Sequence, residues 1–384
     1  MTKTLLTGGS VSTPAGIQEG AEVLIEGDRI QAVGTALSRP SGVSIVDVEG
    51  ALIAPGFIDA HIHGGLSFDT MDANPEALFA ISMHLARHGV TAWLPTTVAC
   101  EATLLDRILS AVGAAKAAEP TGARILGAHL ESNFLSPRYK GAQPAECLRP
   151  TGDPELRAVL SRHAGTIRLL TLAPELEGAD GLIRELVASG VVVSVGHTDA
   201  TYDQVLSAVE AGSSRLTHLC NAQRGFHHRE PGVLGAGLVC DALFTEVIAD
   251  LEHVHPAGLT IAYRCKGPSR LMLVSDAVRG TGLPPGEYEL GGQTTFLDGR
   301  TSRFADGTIA GSVITLDRAV RNMVRTVGVP LHEAIAMASD VPARSLGLSD
   351  LGRVAPGYRA DLVVLSGALE VRATYVAGRR VHQA

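Results

Sequence analysis

Compact apolar runs alternate with longer segments of helical spacing through most of the chain. Each run is short and almost continuously hydrophobic, whereas the segments between repeat apolar residues at three- and four-residue intervals, a pattern typical of parallel strands joined by helices. Eight such runs begin near Phe57, Val90, Arg124, Ile167, Val191, Arg215, Phe244 and Leu271. Eight strands with helical crossovers predict an α/β protein built as a (β/α)8 TIM barrel.

Both ends of the chain follow a different pattern of short strands and turns. Ala21–Ile25 and Ile30–Gly34 flank a Gly-Asp turn typical of a hairpin, and Leu362–Leu365 predicts another short strand near the far end. We therefore expect residues 1–50 and 355–384 to share one small β-structure, and residues 51–354 to form the barrel.

Composition and charge narrow the possible partners. Hydrophobic residues make up 45% of the chain and charged residues 19%, enough for a large core. The net charge of −8, without long charged runs, disfavours nucleic acid and anionic membranes as partners. Five cysteines without a Cys-x-x-Cys pair disfavour a disulfide framework. No signal peptide or membrane-length apolar run of about 18 residues is evident. These features predict a cytoplasmic protein.

The predicted strands end in unusually polar residues. In a barrel of this kind the carboxyl ends of the strands carry the chemistry. Six ends offer an imidazole or a carboxylate to the same mouth: Asp59-Ala60-His61-Ile62-His63, His129-Leu130-Glu131, Gly196-His197, Thr217-His218, Asp250 to His253, and Ser275-Asp276. A single strand-end histidine is more often structural, but six converging ends predict a functional site. The long segment Glu131–Leu148 is a candidate cover for it.

The residue types at these ends suit a metal ion. His61 and His63 are two positions apart on a strand, so their side chains point the same way and can grip one ion. Imidazole nitrogen and carboxylate oxygen are ligands for zinc, iron and similar divalent ions. Asp276 at the end of the last strand can move protons to and from an activated water, which predicts hydrolysis. The structural alternative for Asp276 is a helix cap.

Motifs along nearly the whole chain resemble the amidohydrolase superfamily. The resemblance rests on Ala54-Pro55-Gly56-Phe57-Ile58-Asp59-Ala60-His61-Ile62-His63-Gly64, Gly89-Val90-Thr91 and Pro356-Gly357-Tyr358-Arg359-Ala360-Asp361-Leu362-Val363. Within it, the chain is similar to the deacetylases of N-acetyl amino sugar phosphates, through Lys140-Gly141-Ala142, Gly196-His197-Thr198, Thr217-His218-Leu219-Cys220-Asn221-Ala222, Arg229-Glu230-Pro231-Gly232, Val274-Ser275-Asp276-Ala277 and Ala310-Gly311-Ser312.

This resemblance implies a barrel beside a β-sandwich made from both termini, in a homodimer that hydrolyses N-acetylglucosamine 6-phosphate to acetate and glucosamine 6-phosphate. The implied metal, zinc or iron, would be one or two ions per subunit. Its ligands would be Glu131, His197 and His218 for the main ion, with His61 and His63 for a second. Asp276 would be the general base and then acid, and His253 would polarise the amide carbonyl.

The resemblance also assigns substrate contacts. Asn221 and Ala222 would meet the sugar phosphate, and Arg229 would reach the phosphate in the partner subunit's site. Three departures from the family pattern bear on sugar recognition: Ser132-Asn133-Phe134 stands where Gly-Pro is usual, Gln143 replaces a histidine, and Leu251-Glu252 replaces a glycine. We expect Ser132, Asn133 and Gln143 to lie on the substrate side, with Gln143 as a substrate-binding residue.

Three other interpretations remain open from the sequence. A dihydroorotase-like or hydantoinase-like enzyme would carry a lysine at the end of strand four, where this chain has Leu172-Ala173-Pro174-Glu175. N-acetylgalactosamine 6-phosphate differs from the glucosamine compound in one hydroxyl, which no motif here reads. A binding protein that has lost catalysis would have lost ligand residues, whereas Glu131, His197, His218 and Asp276 are all present.

Overall fold

The computed structural model describes residues 2–384. Its strands, in chain order, are β1 (Lys3–Thr7), β2 (Ser10–Thr13), β3 (Gly16–Glu19), β4 (Glu22–Glu26), β5 (Arg29–Gly34), β6 (Ser44–Asp47), β7 (Leu52–Pro55), β8 (Phe57–Ile62), β9 (Gly64–Gly65), β10 (Phe68–Asp69), β11 (Val90–Thr97), β12 (Arg124–Ile125), β13 (Ala128–Glu131), β14 (Ile167–Leu172), β15 (Val192–Val195), β16 (Arg215–Leu216), β17 (Phe244–Ile248), β18 (Leu271–Val274), β19 (Gly286–Leu290), β20 (Gln293–Leu297), β21 (Ser302–Arg303), β22 (Leu362–Leu365), β23 (Val371–Val376) and β24 (Arg379–Gln383).

The helices surround the parallel strands. They are α1 (Pro75–Arg87), α2 (Ala102–Ala117), α3 (Pro154–Arg162), α4 (Ala179–Ala188), α5 (Tyr202–Ala211), α6 (Gly232–Val239), α7 (Pro256–Lys266), α8 (Leu316–Asn322), α9 (Leu331–Met337) and α10 (Asp340–Ser345), with short 3-10 turns at Thr70–Asp72, Pro137–Tyr139 and Ala145–Cys147 and a π-turn at Met323–Val327. Within residues 2–384, none of these helices has both the length and the apolar character needed to cross a bilayer.

A parallel barrel forms the centre of the molecule. Its strands follow one another in the order β8, β11, β13, β14, β15, β16, β17 and β18, and β12 extends the third strand beside β11. The first and last strands meet where the Asp276 N–H donates to the His61 carbonyl oxygen at 2.8 Å. The prediction of a TIM barrel is confirmed. The eight runs named from the sequence correspond to its strands, and the third run is divided into β12 and β13.

Local sequence explains these elements. β18 is apolar at each of its four positions and buried at each, as a strand covered on both faces must be. Helix α1 begins where the Asn74 side chain accepts a hydrogen bond from the Glu76 N–H and Pro75 fills the first turn. Its buried face, including Leu78, Ile81 and Leu85, packs in the large hydrophobic core that α1 shares with the barrel strands. Helix and strand periodicity thus fix the scaffold that carries the strand ends.

Both termini contribute to a second domain of two sheets. One sheet has the order β5-β4-β1-β6 and the other the order β24-β23-β22-β7-β2-β3. A separate hydrophobic cluster joins them, with Leu6, Ile25, Ile53, Leu362 and Tyr375 among its members. Strand β7 lies beyond residue 50, where the first segment was expected to end, and pairs with both β2 and β22. Because β7 is buried at all four positions, its sequence has the same continuous apolar character as a barrel strand.

An insertion that the sequence analysis did not anticipate follows β18. Strands β19, β20 and β21 form a three-stranded antiparallel sheet. Gly291 and Gly292 join β19 to β20, and both have positive φ values, 57° and 79°, as a tight hairpin turn requires. Two glycines between short strands are the sequence signal that could have revealed this hairpin. The insertion matters for function because Leu290 at the end of β19 lines the cavity described next.

Candidate active site

The predicted polar residues lie together at the carboxyl ends of the barrel strands. His61 lies near the end of β8, and His63 directly follows that strand. Glu131 is the last residue of β13, and His197, His218 and Asp276 each follow a strand by two residues. All six side chains are buried. His197, His218 and Asp276 have positive φ values of 48°, 25° and 50°, a region that non-glycine residues rarely occupy. Such backbone strain is typical of functional sites, where the surrounding fold holds it in place.

Glu131 stands at the centre of this cluster. Its Oε1 atom lies 2.8 Å from His197 Nε2, 3.0 Å from His218 Nε2 and 3.4 Å from His61 Nε2. Its Oε2 atom accepts a hydrogen bond from Gln143 Nε2 at 2.5 Å. The carboxylate therefore gathers imidazoles from three different strand ends.

Asp276 forms a second focus beside the first. Its Oδ1 atom lies 3.1 Å from His63 Nε2 and 3.4 Å from His61 Nε2. His61 thus lies between the two carboxylates, with its Nε2 atom 3.4 Å from each. The same nitrogen is buried without a hydrogen-bond partner of its own.

Hydrogen bonds to the other ring nitrogen fix how three of the imidazoles face the cluster. Each Nδ1 atom lies against an oxygen that can only accept, so Nδ1 carries a proton and Nε2 points inward, with a lone pair when the ring is neutral and an N–H when it is protonated. The acceptors are Glu246 Oε2 for His61 at 3.1 Å, the Thr96 carbonyl for His63 at 3.2 Å, and the Tyr139 and Lys140 carbonyls for His197 at 3.1 Å.

Inward lone pairs facing carboxylate oxygens repel one another unless positive charge lies between them. A divalent cation satisfies this arrangement, because imidazole and carboxylate together suit zinc and related ions. Two groups of residues could each hold an ion, His61–Glu131–His218 and His61–His63–Asp276. Within each group, the ligand atoms all lie within 4.8 Å of one another. His197 Nε2 lies 3.0 Å from His218 Nε2 and so adjoins the first group. The residues present fit a divalent metal centre.

The electrostatics of the cluster agree with a cation site. Burial would lower the pKa of His61, but the negative charges of Asp276 and Glu131 outweigh burial and raise the pKa to about 10. Burial would raise the pKa of Asp276, yet His61 and His63 hold it below its usual value. The carboxylates are therefore ionised at neutral pH and attract positive charge into the site.

A cavity of about 290 Å³ opens onto this cluster. Its walls come from the strand ends, the 131–148 segment, the loop after β16 and the insertion after β18. The lining residues are His63, Val98, Glu131, Gly141, Ala142, Gln143, His197, His218, Asn221, Ala222, His253, Asp276, Leu290, Thr308, Ile309 and Gly311. The 131–148 segment forms part of the cavity wall through Gly141, Ala142 and Gln143.

His253 reaches the same cavity from the end of β17. Its Nδ1 atom donates to Asp250 Oδ2 at 2.6 Å, and both side chains are 7% exposed. Burial would lower the pKa of His253, but the hydrogen bond and the charge of Asp250 outweigh burial and raise it. An imidazole held in this way is suited to donate from its other nitrogen to a bound substrate.

Gln143 is at the cavity wall, but its amide is already engaged. While Nε2 donates to Glu131, Oε1 accepts from the Ala99 N–H at 2.7 Å. Gln143 therefore links Glu131 to the backbone after β11, which holds the carboxylate in place. This structural role is an alternative to the expectation that Gln143 binds the substrate.

Ser132 and Asn133 are not among the residues that line the cavity, contrary to expectation. Ser132 Oγ donates to the Thr171 carbonyl at 2.6 Å, and Asn133 Nδ2 donates to the carbonyls of Cys100 and Cys147 at 2.7 Å. Both side chains are buried and stabilise the segment that starts at Glu131. A buried loop backbone needs such partners, which explains these polar residues without a substrate.

Arg229 lies outside the cavity of its own chain. It is exposed, and its Nη1 atom contacts His228 Nε2 at 2.8 Å. Asn221 and Ala222, from the same loop, do line the cavity. The structure of one chain thus brings the predicted metal-ligating and catalytic residues together with Asn221, Ala222 and Gln143. Ser132, Asn133 and Arg229 lie outside the cavity lining, and the resemblance gave Arg229 a role in a partner's site.

Sequence reasoning missed two charged residues behind the cluster. Glu246 on β17 and Arg215 on β16 are both 0% exposed and form an ion pair, with Arg215 Nη2 2.5 Å from Glu246 Oε1. The signal for Glu246 was an acidic residue within an otherwise apolar strand.

His129, noted on strand three, hydrogen-bonds Thr96 and Thr171 inside the barrel, and burial holds its pKa well below the usual value.

Comparisons with known proteins agree with this geometry. An N-acetylgalactosamine-6-phosphate deacetylase of Escherichia coli O157:H7 is 40% identical over 90% of this chain and 91% of its own. An N-acetylglucosamine-6-phosphate deacetylase of Bacillus subtilis is 41% identical over 85% of this chain and 84% of its own. The fold is also similar to that of an N-acetyl-D-glucosamine-6-phosphate deacetylase from Mycobacterium smegmatis, solved as an aspartate-to-alanine variant in complex with N-acetyl-D-glucosamine 6-phosphate. The two structures superpose with a TM-score of 0.92 at 35% identity, over 99% of this chain and 100% of the other. The profile of the amidohydrolase family matches residues 52–381. The chain therefore belongs to the amidohydrolase family.

Proposed function

We propose that this protein removes the acetyl group from N-acetylglucosamine 6-phosphate by hydrolysis, which yields glucosamine 6-phosphate and acetate. The observation that carries the proposal is the convergence of Glu131, His197 and His218 beside Asp276 at the wall of one cavity. Relatives named for this reaction support the choice of substrate.

Asp276 is the residue that moves protons in this proposal. Glu131, His197 and His218 would hold a divalent ion, whose Lewis acidity would make a nearby water easier to deprotonate. Asp276 is ionised because its pKa lies below the usual value, so it can accept a proton from the attacking water. It then returns that proton to the nitrogen of the departing amine.

His253 and the loop after β16 position the substrate. The His253 ring, held by Asp250, donates a hydrogen bond to the acetamide oxygen and stabilises the charge that develops there. Asn221 and Ala222 contact the sugar phosphate from the cavity wall. These contacts orient the amide carbon toward the water that Asp276 deprotonates.

The metal and the oligomer belong to the same proposal. Zinc or iron would suit the nitrogen and oxygen donors, of which Glu131, His197 and His218 would hold one ion and His61 and His63 would hold a second. A homodimer would bring Arg229 to the partner subunit's substrate phosphate. Support for a contact surface here comes from the exposed apolar side chain of Phe226, which lies three residues before Arg229 and is 59% exposed. The five cysteines are all free, which suits a reducing cytoplasm.

N-acetylgalactosamine 6-phosphate is the second candidate substrate. The relative from Escherichia coli O157:H7 that carries this name is 40% identical to the chain over nearly its full length. The two sugars differ in the orientation of one hydroxyl, so both fit the same metal chemistry.

A deacetylation panel tests the proposal and separates the candidates. Metal-analysed protein is incubated with N-acetylglucosamine, N-acetylgalactosamine and N-acetylmannosamine, each with and without a 6-phosphate, and acetate release is measured. We expect the highest kcat/KM with N-acetylglucosamine 6-phosphate. A preference for the galactosamine compound selects the second candidate, and acetate release from none of the six compounds contradicts both.

A further inference from the structure

An ion pair without contact to the cavity lies directly behind the candidate metal ligands. Arg215 opens β16 and Glu246 lies in the middle of β17, and both side chains are 0% exposed. Arg215 Nη2 donates to Glu246 Oε1 at 2.5 Å, while Arg215 Nη1 donates to Ser345 Oγ at 2.8 Å. The guanidinium is thus anchored at the far side, and one carboxylate oxygen of Glu246 is committed to it.

The other oxygen of Glu246 faces the site. Glu246 Oε2 accepts a hydrogen bond from His61 Nδ1 at 3.1 Å and another from the backbone N–H of His218 at 3.2 Å. His61 belongs to both groups of potential metal ligands, and His218 belongs to the first. One buried carboxylate therefore holds a ring from β8 and the backbone of the residue that follows β16.

Stability alone is a weak reason for such a pair. Desolvation of two buried charges offsets most of their attraction, and apolar residues of similar volume often stabilise a core as well or better. Imidazoles that bind metals, in contrast, almost always donate their second N–H to a carboxylate or carbonyl, which fixes the tautomer and the orientation of the ring. The placement of Glu246 matches this second purpose.

Nothing else beside His61 can replace Glu246. His63, His129 and His218 are the rings beside His61, and His129 is the nearest, with centroids 4.7 Å apart. Both nitrogens of His129 are engaged with Thr96 Oγ1 and Thr171 Oγ1. Among residues 2–384, the only hydrogen-bond partner of His61 Nδ1 is Glu246. The state of the His61 ring therefore depends on this one carboxylate.

We propose that Arg215 and Glu246 are positioning residues that hold His61 with its proton on Nδ1 and its Nε2 lone pair toward Asp276 and Glu131, and that occupancy of the second ion position depends on them. The inference rests on the metal centre proposed above. It predicts that the ion at His61, His63 and Asp276 is far more sensitive to Glu246 than the ion at Glu131, His197 and His218.

Glu246→Gln is the sharpest test because it keeps the shape of the side chain. Arg215 can only donate, so it takes the single amide oxygen of the new residue. The amide NH2 group then faces His61 Nδ1 and favours the tautomer with the proton on Nε2, which blocks that nitrogen as a ligand. We expect affinity for the second ion to fall 10- to 100-fold. Affinity for the first ion should fall less, because its ligand His218 loses only the acceptor of its backbone N–H and no ring contact.

The experiment measures zinc bound per subunit by mass spectrometry of the metal after equilibrium dialysis against a range of free zinc concentrations. We expect two ions on the wild type, one on Glu246→Gln and one on His61→Asn. Ser345→Ala is the matched control, because it removes a hydrogen bond from Arg215 but leaves the charge of Glu246, and we expect it to keep two. Cobalt substituted for zinc gives an absorption spectrum that reports which position is lost.

A second variant guards against loss of folding. If Glu246→Gln does not fold, the double change Arg215→Met and Glu246→Leu removes both charges together, and we again expect one ion. Either folded variant with two ions of wild-type affinity overturns the proposal, as does a wild type that binds one. A wild type that binds no ion contradicts the proposed metal centre itself. This outcome therefore distinguishes failure of the metal centre from failure of the positioning role of Arg215 and Glu246.

Discussion

Asp276 and His63 meet across the seam that closes the barrel, with Asp276 Oδ1 3.1 Å from His63 Nε2. The seam joins the last strand to the first, because the backbone N–H of Asp276 also donates to the His61 carbonyl. Asp276 therefore contacts both His61 and His63 and lines the cavity as well. A carboxylate in this position connects the metal cluster to any substrate in the cavity.

Asp276→Asn should abolish most of the activity. The amide is isosteric but cannot take a proton from water, and general-base catalysis alone is worth about 10²- to 10⁴-fold. We expect kcat to fall by at least that factor while the ion at Glu131, His197 and His218 is retained. Steady-state kinetics together with metal analysis of the same sample measures both. Undiminished turnover in a correctly metallated variant would exclude the role assigned to Asp276.

Asp250→Asn should move the alkaline limb of the pH profile. Asp250 raises the pKa of His253 above its ordinary value, against the effect of burial. The charged imidazolium is lost as pH rises through that pKa, so a lower pKa brings the loss to lower pH. We expect kcat/KM of the variant to decline at a lower pH than in the wild type, with the acidic limb unchanged.

Glu252→Gln is the control for this shift. Glu252 lies on the same turn and pairs with Arg300, and it is not among the groups that shift the pKa of His253. We expect its alkaline limb to match the wild type. An unshifted limb in Asp250→Asn would show that His253 does not titrate in the reaction.

Gln143→Leu should weaken metal binding more than substrate binding. The change removes the donor to Glu131 Oε2 and the acceptor for the Ala99 N–H, so Glu131 loses the group that orients it. Partners of this kind typically account for 10- to 100-fold in metal affinity.

Gln143→His is the control, because it restores the residue usual in the deacetylases that this chain resembles. It keeps a donor to Glu131 and should retain most of the metal affinity. Zinc titration against a chelator measures the difference. Normal metal affinity with a raised KM would instead assign Gln143 to the sugar.

The barrel and the cluster were readable from the sequence because both depend on local patterns. Apolar runs mark the strands, and the residues that end them meet at one mouth whatever their separation in the chain. The Arg215–Glu246 pair was not readable, because the register between β16 and β17 brings the two residues together over 31 positions. Ser132 and Asn133 were misplaced for a similar reason, since polar residues that satisfy a buried loop look the same in sequence as residues that face a ligand.

Arg229→Ala distinguishes a shared site from a site made by one chain. Arg229 is exposed and outside its own cavity, so a monomeric enzyme should lose nothing when it is removed. In a dimer that places it on the partner's substrate, loss of a charged hydrogen bond costs about 1.5–3 kcal/mol, which corresponds to roughly 10- to 100-fold in KM for 6-phosphorylated sugars. The KM for sugars without the phosphate should be unaffected.

Arg318, an exposed arginine on α8, provides the control. Arg318→Ala should leave the KM unchanged for sugars with and without the phosphate. Analytical sedimentation of the wild type at the assay concentrations measures its oligomeric state. A dimer is required for the effect, because only in a dimer can Arg229 of one chain contact the substrate bound to the other. Equal losses on both classes of sugar would show that the arginine acts through the loop and not through the phosphate.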